Sequence, residues 1–260
     1  MEIKKQMTTM HNIRFYLTRS TLALGGLLLL LASCKRDDYY VDGGKANPVY
    51  DGTMMEYLDS KPRDFDTIAQ IIRLAGLEEA FHENEFTFFA PHDDDIKQLI
   101  GQVGQGGVNS RLYNLGRDTI AVLADVDSTI WRKYLERYMF RGRNKLMDYP
   151  QVDFNLLTTY SGQSYYSLNN TVSNIGVVYH DAVTDPGTPN EVRLRYMGYR
   201  QLHVSYIPDL SQPQQGWVTV PVASSDIQPS NGIVHALDFT RAGFGFVQWE
   251  VEQDILESKR

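Results

Sequence analysis

Apolar and polar positions along the chain fall into blocks of different period. Twelve residues from Ser20 to Leu31 carry no charge, behind a leader with Lys4, Lys5, Arg14 and Arg19 against Glu2. A spanning helix takes about 20 apolar residues, so this shorter run fits the core of a secretion signal. From Tyr50 the pattern becomes that of a globular chain. Met54, Met55, Tyr57 and Leu58 predict a short helix ended near Pro62. Asp64 is a suitable N-cap for the next helix. There Phe65, Ile68, Ile71, Ile72 and Ala75 recur at three- and four-residue steps until Gly76, and Leu77 to Phe81 add a further turn. Phe86-Thr87-Phe88-Phe89-Ala90 is β-rich and ends at Pro91, which has no N–H for a sheet ladder. His92-Asp93-Asp94-Asp95 then opens a helix through about Ile100, with three acids where the helix dipole favours negative charge.

Further on, Val192, Leu194 and Tyr196 alternate with Arg193 and Arg195, as in a half-buried strand of a hairpin. Pro229 fixes φ for a turn, Asn231-Gly232 tolerates positive φ, and Ile233-Val234 with Ala236-Leu237 return as a buried strand. Val247, Trp249 and Val251 alternate with Gln248, Glu250 and Glu252, which predicts a closing strand with one apolar face.

Thr87-Phe88-Phe89-Ala90-Pro91, followed by acids and then Ile96 and Leu99, resembles the first box of fasciclin domains, and Ala75-Gly76-Leu77 fits the helix before it. Thr119 to Asp125 and Trp131 to Gly142 are similar to that family's next two helices, and Leu156 to Gly162 to its central strand and turn. Val218-Thr219-Val220 leading into Ser225 to Asp238 is similar to its closing box, about 140 residues after the first. The resemblance implies an α+β fold in a single domain, a β-sandwich or wedge with packed helices. It covers 50–241, with insertions near 101–116 and 170–216, and leaves 242–260 as a C-terminal extension. The family often carries a Tyr-His pair associated with adhesion; the matching positions here read Arg137-Tyr138, without the histidine. His92 stands where a capping Ser or Thr is usual, so Asp93 is expected to take over the cap.

The leader closes on Leu31-Ala32-Ser33-Cys34, which resembles a bacterial lipobox, and Cys34 is the chain's single cysteine. The expectation is a signal peptide over 1–33, thioether lipidation at Cys34 and a flexible tether over 34–49. Each buried methylene contributes about 0.8 kcal/mol, so a diacylglyceryl group with an N-acyl chain anchors stably where one chain does not. Asp37 and Asp38 in the tether resemble the acidic export signal of surface lipoproteins in Bacteroidota. That implies an outer-membrane location facing the exterior. Removing four bases and one acid with the leader moves the net charge from −7 to −10. An acidic body does not suit nucleic acid, whose binding rests on clustered Lys and Arg. One cysteine also excludes a disulfide framework within the chain and a cysteine-based zinc site.

Little chemistry stands out. Gly162-Gln163-Ser164 is no nucleophile elbow, and Gly101, Gly104, Gly106 and Gly107 fit no phosphate-loop pattern. His92 with its three acids lacks the alternation of a calcium loop. His235 lies inside an apolar strand and reads as a satisfied core histidine; Asp226 reads as a turn cap. Asp66-Thr67-Ile68, Asp118-Thr119-Ile120 and Asp127-Ser128-Thr129 resemble O-glycosylation triplets and equally read as capped helix starts. No catalytic residue, metal site or cofactor is expected.

Binding candidates concentrate in the larger insertion: Arg193, Arg195, Tyr196, Tyr199, Arg200, Tyr206 and Trp217, flat aromatics beside guanidiniums that suit a sugar or a protein partner. The sequence therefore reads as a non-catalytic, lipid-anchored cell-surface protein that mediates adhesion or binds a partner, a glycan or a host protein. The alternative is an accessory subunit of a SusC/SusD-type importer, docked on a TonB-dependent transporter or its SusD-like lipoprotein.

Overall fold

The computed structural model describes residues 47–260 except 214 and 240–242. Leu31, Ala32, Ser33, Cys34 and most of the expected tether lie outside those residues. Helix α1 (Met54–Asp59) opens on a reciprocal cap: the Thr53 side chain accepts the Glu56 N–H, and the Glu56 carboxylate accepts the Thr53 N–H. Helix α2 (Pro62–Leu74) starts two residues before Asp64, because Pro62 suits a first turn in which its missing N–H costs nothing. α3 (Glu78–Glu83), β1 (Phe86–Ala90) and α4 (Asp93–Ile100) follow where the pattern put them. The cap of α4 is His92 itself, not Asp93. His92 Nδ1 accepts the Asp94 N–H (3.1 Å), and Asp95 returns a carboxylate to the His92 N–H (3.1 Å). Asp93 instead accepts from the Thr67 and Ile68 N–H groups at 3.0 Å each, joining α4 to α2.

Beyond α4 come α5 (Gly107–Asn114), α6 (Ser128–Leu135), β2 (Met139–Arg141), β3 (Gln163–Tyr166), β4 (Val172–Tyr179), β5 (Ala182–Thr184), β6 (Val192–Leu194), β7 (Arg200–Tyr206), β8 (Val218–Ile227), β9 (Gly232–Leu237) and α7 (Gln248–Ser258). Seven strands form one sheet in the order β2-β1-β9-β8-β7-β4-β3, while β5 and β6 pair apart from it. The two edges meet at one end: Phe140 bridges to Ser167, and Leu168 donates to the Met139 carbonyl (2.8 Å). The expected sandwich or wedge is thus one sheet curled nearly closed, with helices packed around it.

Several expected elements differ. Of 119–125, only Leu123–Asp125 is helical, as one 3-10 turn. The helix expected over 131–142 is α6, then a 3-10 turn at Glu136–Tyr138, then β2. Within 156–162 the chain turns over residues 157–159 and makes a single bridge from Ser161 to Val152, and the strand begins at Gln163. The glycine-rich loop near 101–116 contains α5. The strand expected at 247–252 is the start of α7. Its alternation lasts only six positions; Val251, Ile255 and Leu256 then return at helical spacing and are buried, leaving Trp249 60% exposed. Of the three Asp-led triplets, only Asp127 caps a helix, accepting the Thr129 N–H at 2.8 Å.

The centre of the fold is the parallel pair β1–β9, registered from Phe86 on Gly232 to Ala90 on Ala236. All five β1 residues are buried, so their backbone groups depend on the neighbouring strands for hydrogen bonds. Phe81 of α3 packs edge-on against Phe86 and Phe88, both at 5.0 Å. The turn into β9 does not use the positive φ expected at Asn231-Gly232; that conformation falls on Asp226 (φ 62°). Gly232 is needed for approach, since a β-carbon there would overlap the Phe86 carbonyl oxygen. Asn231 is a clamp: its Oδ1 accepts the Met54 N–H (2.7 Å), and its Nδ2 donates to the carbonyls of Phe81 (2.9 Å) and Asn84 (3.1 Å). Losing one partner of a buried hydrogen bond costs about 1–3 kcal/mol for each group left unsatisfied. Asn231→Ala is therefore expected to lower the unfolding free energy by roughly 2–3 kcal/mol in urea titrations at pH 7.

Candidate functional site

The ladder between β4 and β7 runs to Tyr179–Arg200, and the chain then leaves the sheet as the β5–β6 hairpin. The junction is tight. Gly198 N–H donates to the His180 carbonyl (2.7 Å), and a β-carbon at Gly198 would clash with Asp181 O. Tyr196 leaves β6 with φ 60°, uncommon for a non-glycine residue. It is held there by its N–H on Asp181 Oδ1 (2.9 Å) and its hydroxyl on Asp153 Oδ2 (2.8 Å). The hairpin is not half-buried as the alternation suggested, because Val192 and Leu194 are each 55% exposed.

Hairpin, strand junction and the 152–155 loop enclose a groove of about 410 Å³. Four of the seven candidates, Arg193, Arg195, Tyr196 and Tyr199, line it together with Asp153, Asn155, His180 and Asp181. Arg195 donates to the Tyr196 hydroxyl (2.8 Å), with its guanidinium 4.7 Å from that ring and 3.8 Å from Asp153. Arg193 pairs with Glu191 (3.0 Å) and Asp181 (3.4 Å). The Tyr196 N–H, seconded by Arg193, holds the Asp181 carboxyl below its ordinary range; the hydrogen bond to Asp153 raises the Tyr196 hydroxyl. Tyr199 lies flat on the His180 ring (4.0 Å, 14°), and Gln201 holds the His180 Nε2 (3.2 Å). Arg200 sits just behind, over the Tyr179 ring at 3.7 Å.

The other two candidates lie elsewhere. Trp217 lines a separate hollow of about 230 Å³ with Leu157, Ser161 and Pro213, and packs edge-on against Phe154 (6.2 Å). Tyr206 is buried, stacked on Phe246 (5.9 Å, 16°) and under the Arg137 guanidinium (4.9 Å). It is a core residue rather than a binding one: its place in β7 turns it inward. Sequence reasoning missed Asp153, Asn155, His180 and Asp181 as lining residues. The first two come from a distant loop and carried no local signal; His180 and Asp181 are marked only by standing at a strand end.

The Arg137-Tyr138 positions are sealed. Tyr138 is 1% exposed, and its hydroxyl accepts the N–H groups of Gly245 (2.6 Å) and Phe246 (3.1 Å) while donating to the Gly243 carbonyl (3.3 Å). Arg137 donates to the Gly245 carbonyl (2.9 Å) and pairs with Glu250 (2.8 Å). Lys133 and Tyr134 both bind Asp254 of α7, at 2.6 and 2.7 Å.

Burial displaces two titrations in the core, in opposite directions. His235 is fully buried; its Nδ1 accepts the Asp226 N–H (3.2 Å), its Nε2 meets the Asn144 carbonyl (3.0 Å), and burial pushes it down to about 4. Asp226 also takes the Leu146 N–H (2.7 Å), a backbone group 80 residues away rather than one in the turn it precedes. Asp95, inside the α4 cap, is pushed up by burial to about 7. Among the described residues no group of three or more His, Cys, Asp or Glu is placed to hold a metal ion, and no helix is long and apolar enough to cross a membrane.

No protein-family model matches the chain, and no curated protein matches it. Among solved structures it is similar to a FAS1 domain pair from the insect cell adhesion molecule fasciclin I, at 14% identity and a TM-score of 0.41. The match covers 78% of this chain and 52% of that one, so the chain spans about half the length of that structure.

His235 and Asp95 oppose each other in pH dependence. A neutral buried histidine loses stability as pH falls from 6.5 through about 4, because the unfolded chain takes up the proton first. A protonated buried Asp95 loses it as pH rises from 3.8 through about 7. Their slopes offset between about pH 4 and 6.5. Asp95→Asn is expected to remove the opposing contribution, so that unfolding free energy rises more steeply with pH across that window than in the parent. Urea unfolding of both proteins at pH 4.5, 5.5 and 6.5 reads it directly.

Proposed function

We propose that the chain is a non-catalytic, lipid-anchored surface-binding protein of the fasciclin type, held by Cys34 to the outer membrane and presenting the β5–β6 hairpin to its ligand. One observation carries the location of the binding face. Four of the seven candidates meet in one groove at the hairpin, while Arg137 and Tyr138 lie under the C-terminal segment. The parallel pairing of β1 with β9 supports the family reading, because the two boxes that carry the resemblance lie side by side in register. The leader, Leu31-Ala32-Ser33-Cys34 and the acidic Asp37 and Asp38 support anchoring at the outer surface.

The second reading is an accessory subunit of a SusC/SusD-type importer. Burial of the adhesion-associated positions favours it, since adhesion through them would require the C-terminal segment to lift away. One measurement tests the anchor that both readings share, and a second separates them. Fed an alkynyl fatty acid in a bacterium with two membranes, the full chain is expected to take up label and sediment with membranes. Cys34→Ala is expected to do neither, and a labelled Cys34→Ala protein would contradict the anchor. In a mild-detergent pull-down from native membrane, the free-standing reading predicts recovery of the chain alone. Comparable amounts of a TonB-dependent transporter and a SusD-like lipoprotein would replace it with the importer reading.

A further inference from the structure

We infer that the hairpin groove binds a neutral carbohydrate, with one sugar ring stacked on Tyr199 and its hydroxyls shared between the carboxylates and guanidiniums around it. The inference rests on the binding-protein reading above and adds the ligand class. Three observations support it. First, Tyr199 is 65% exposed although one ring face lies on His180. A broad aromatic surface therefore faces the groove, already oriented by the His180–Gln201 contact. A pyranose has an apolar C–H face that suits such a ring, and a ring held in place before binding loses little entropy on engagement.

Second, the charges lining the groove balance within it. Arg193 and Arg195 stand against Asp153 and Asp181 and are paired with them. An anionic ligand would have to compete with those carboxylates for the guanidiniums, and a cationic one with the guanidiniums for the carboxylates. A polyhydroxylated neutral ligand can use both, because its hydroxyls donate and accept. Arg195 has five N–H donors and commits one at hydrogen-bond distance, to Tyr196. Third, the groove of about 410 Å³ falls in the usual range for small-ligand sites, roughly 300–1,000 Å³. It is built on a strained, multiply pinned turn, a form of backbone strain that clusters at binding sites.

The test is native affinity electrophoresis of the full chain in gels containing glycogen, laminarin, galactomannan or xylan, with heparin and polygalacturonate as polyanions. The expected result is retardation by at least one neutral polymer, insensitive to 0.5 M sodium chloride. Tyr199→Ala and Arg195→Gln should each weaken it about tenfold or more, whereas Trp217→Ala, in the separate hollow, changes it less than twofold. Both substituted groove residues are exposed, so loss of folding does not confound the result. Absence of retardation by every neutral polymer overturns the inference, as does retardation that Tyr199→Ala leaves unchanged. Retardation only by polyanions, abolished by salt, overturns it too. A chain that takes up fatty acid at Cys34 and captures a protein partner, yet is not retarded, contradicts the sugar assignment alone. A chain that neither anchors nor binds contradicts the underlying reading as well.

Discussion

The parallel register of β1 on β9 is the constraint on which the rest of the structure depends. It holds Phe86–Ala90 beside Gly232–Ala236, with about 140 residues of chain between them. Closing so long a loop costs conformational entropy before any contact rewards it. Dense burial along the seam offsets that cost. Phe81, Phe88, Phe89 and Phe140 are each at 0–2% exposure and meet edge to face. Every polar group inside the seam must then find a partner. Asn231 ties the start of β9 to α1 and α3, and His235 stays neutral between Asp226 and Asn144. The histidine that a catalytic reading would seize on is a structural consequence of where the two strands meet.

Two regions hang from this seam and use ion pairs to different ends. At the C-terminal segment, Lys133, Arg137 and Arg111 reach across to Asp254, Glu250 and Glu252 of α7, and the Tyr138 hydroxyl collects two backbone donors. These contacts close a surface. At the hairpin, charges pair along the rim of an open groove and leave an aromatic face uncovered. Loop-borne sites on a rigid scaffold are where binding specificity usually resides, and here the scaffold ends at the Tyr179–Arg200 pair.

What the sequence revealed depended on whether the signal was local. β1, α4 and the strand after Asn231 were legible because period, proline and cap all lie within a few residues. α7 was misread because six alternating positions outweighed Ile255 and Leu256 further on. Asn231 was expected to serve its own turn, whereas its amide serves segments some 150–180 residues away. In the groove, the aromatic and arginine candidates of the hairpin were visible as a cluster. Asp153 and Asn155 were not, because only the folded chain brings their loop to Tyr196 and Arg195. Tyr206 shows the converse error: a tyrosine close in sequence to that cluster that faces the interior.

The hairpin is an addition to a scaffold that stands without it. The ladder is already closed where Gly198 donates to the His180 carbonyl, so replacing 182–197 with an Asn-Gly turn leaves the strand ends apposed. Thermal unfolding of that shortened chain is the most direct test. A single cooperative transition is expected, with its midpoint within about 5 °C of the parent, the shift for a loss of roughly 1–2 kcal/mol. A larger fall, or loss of the single transition, would show that the hairpin belongs to the folding core and that scaffold and binding face are not separable.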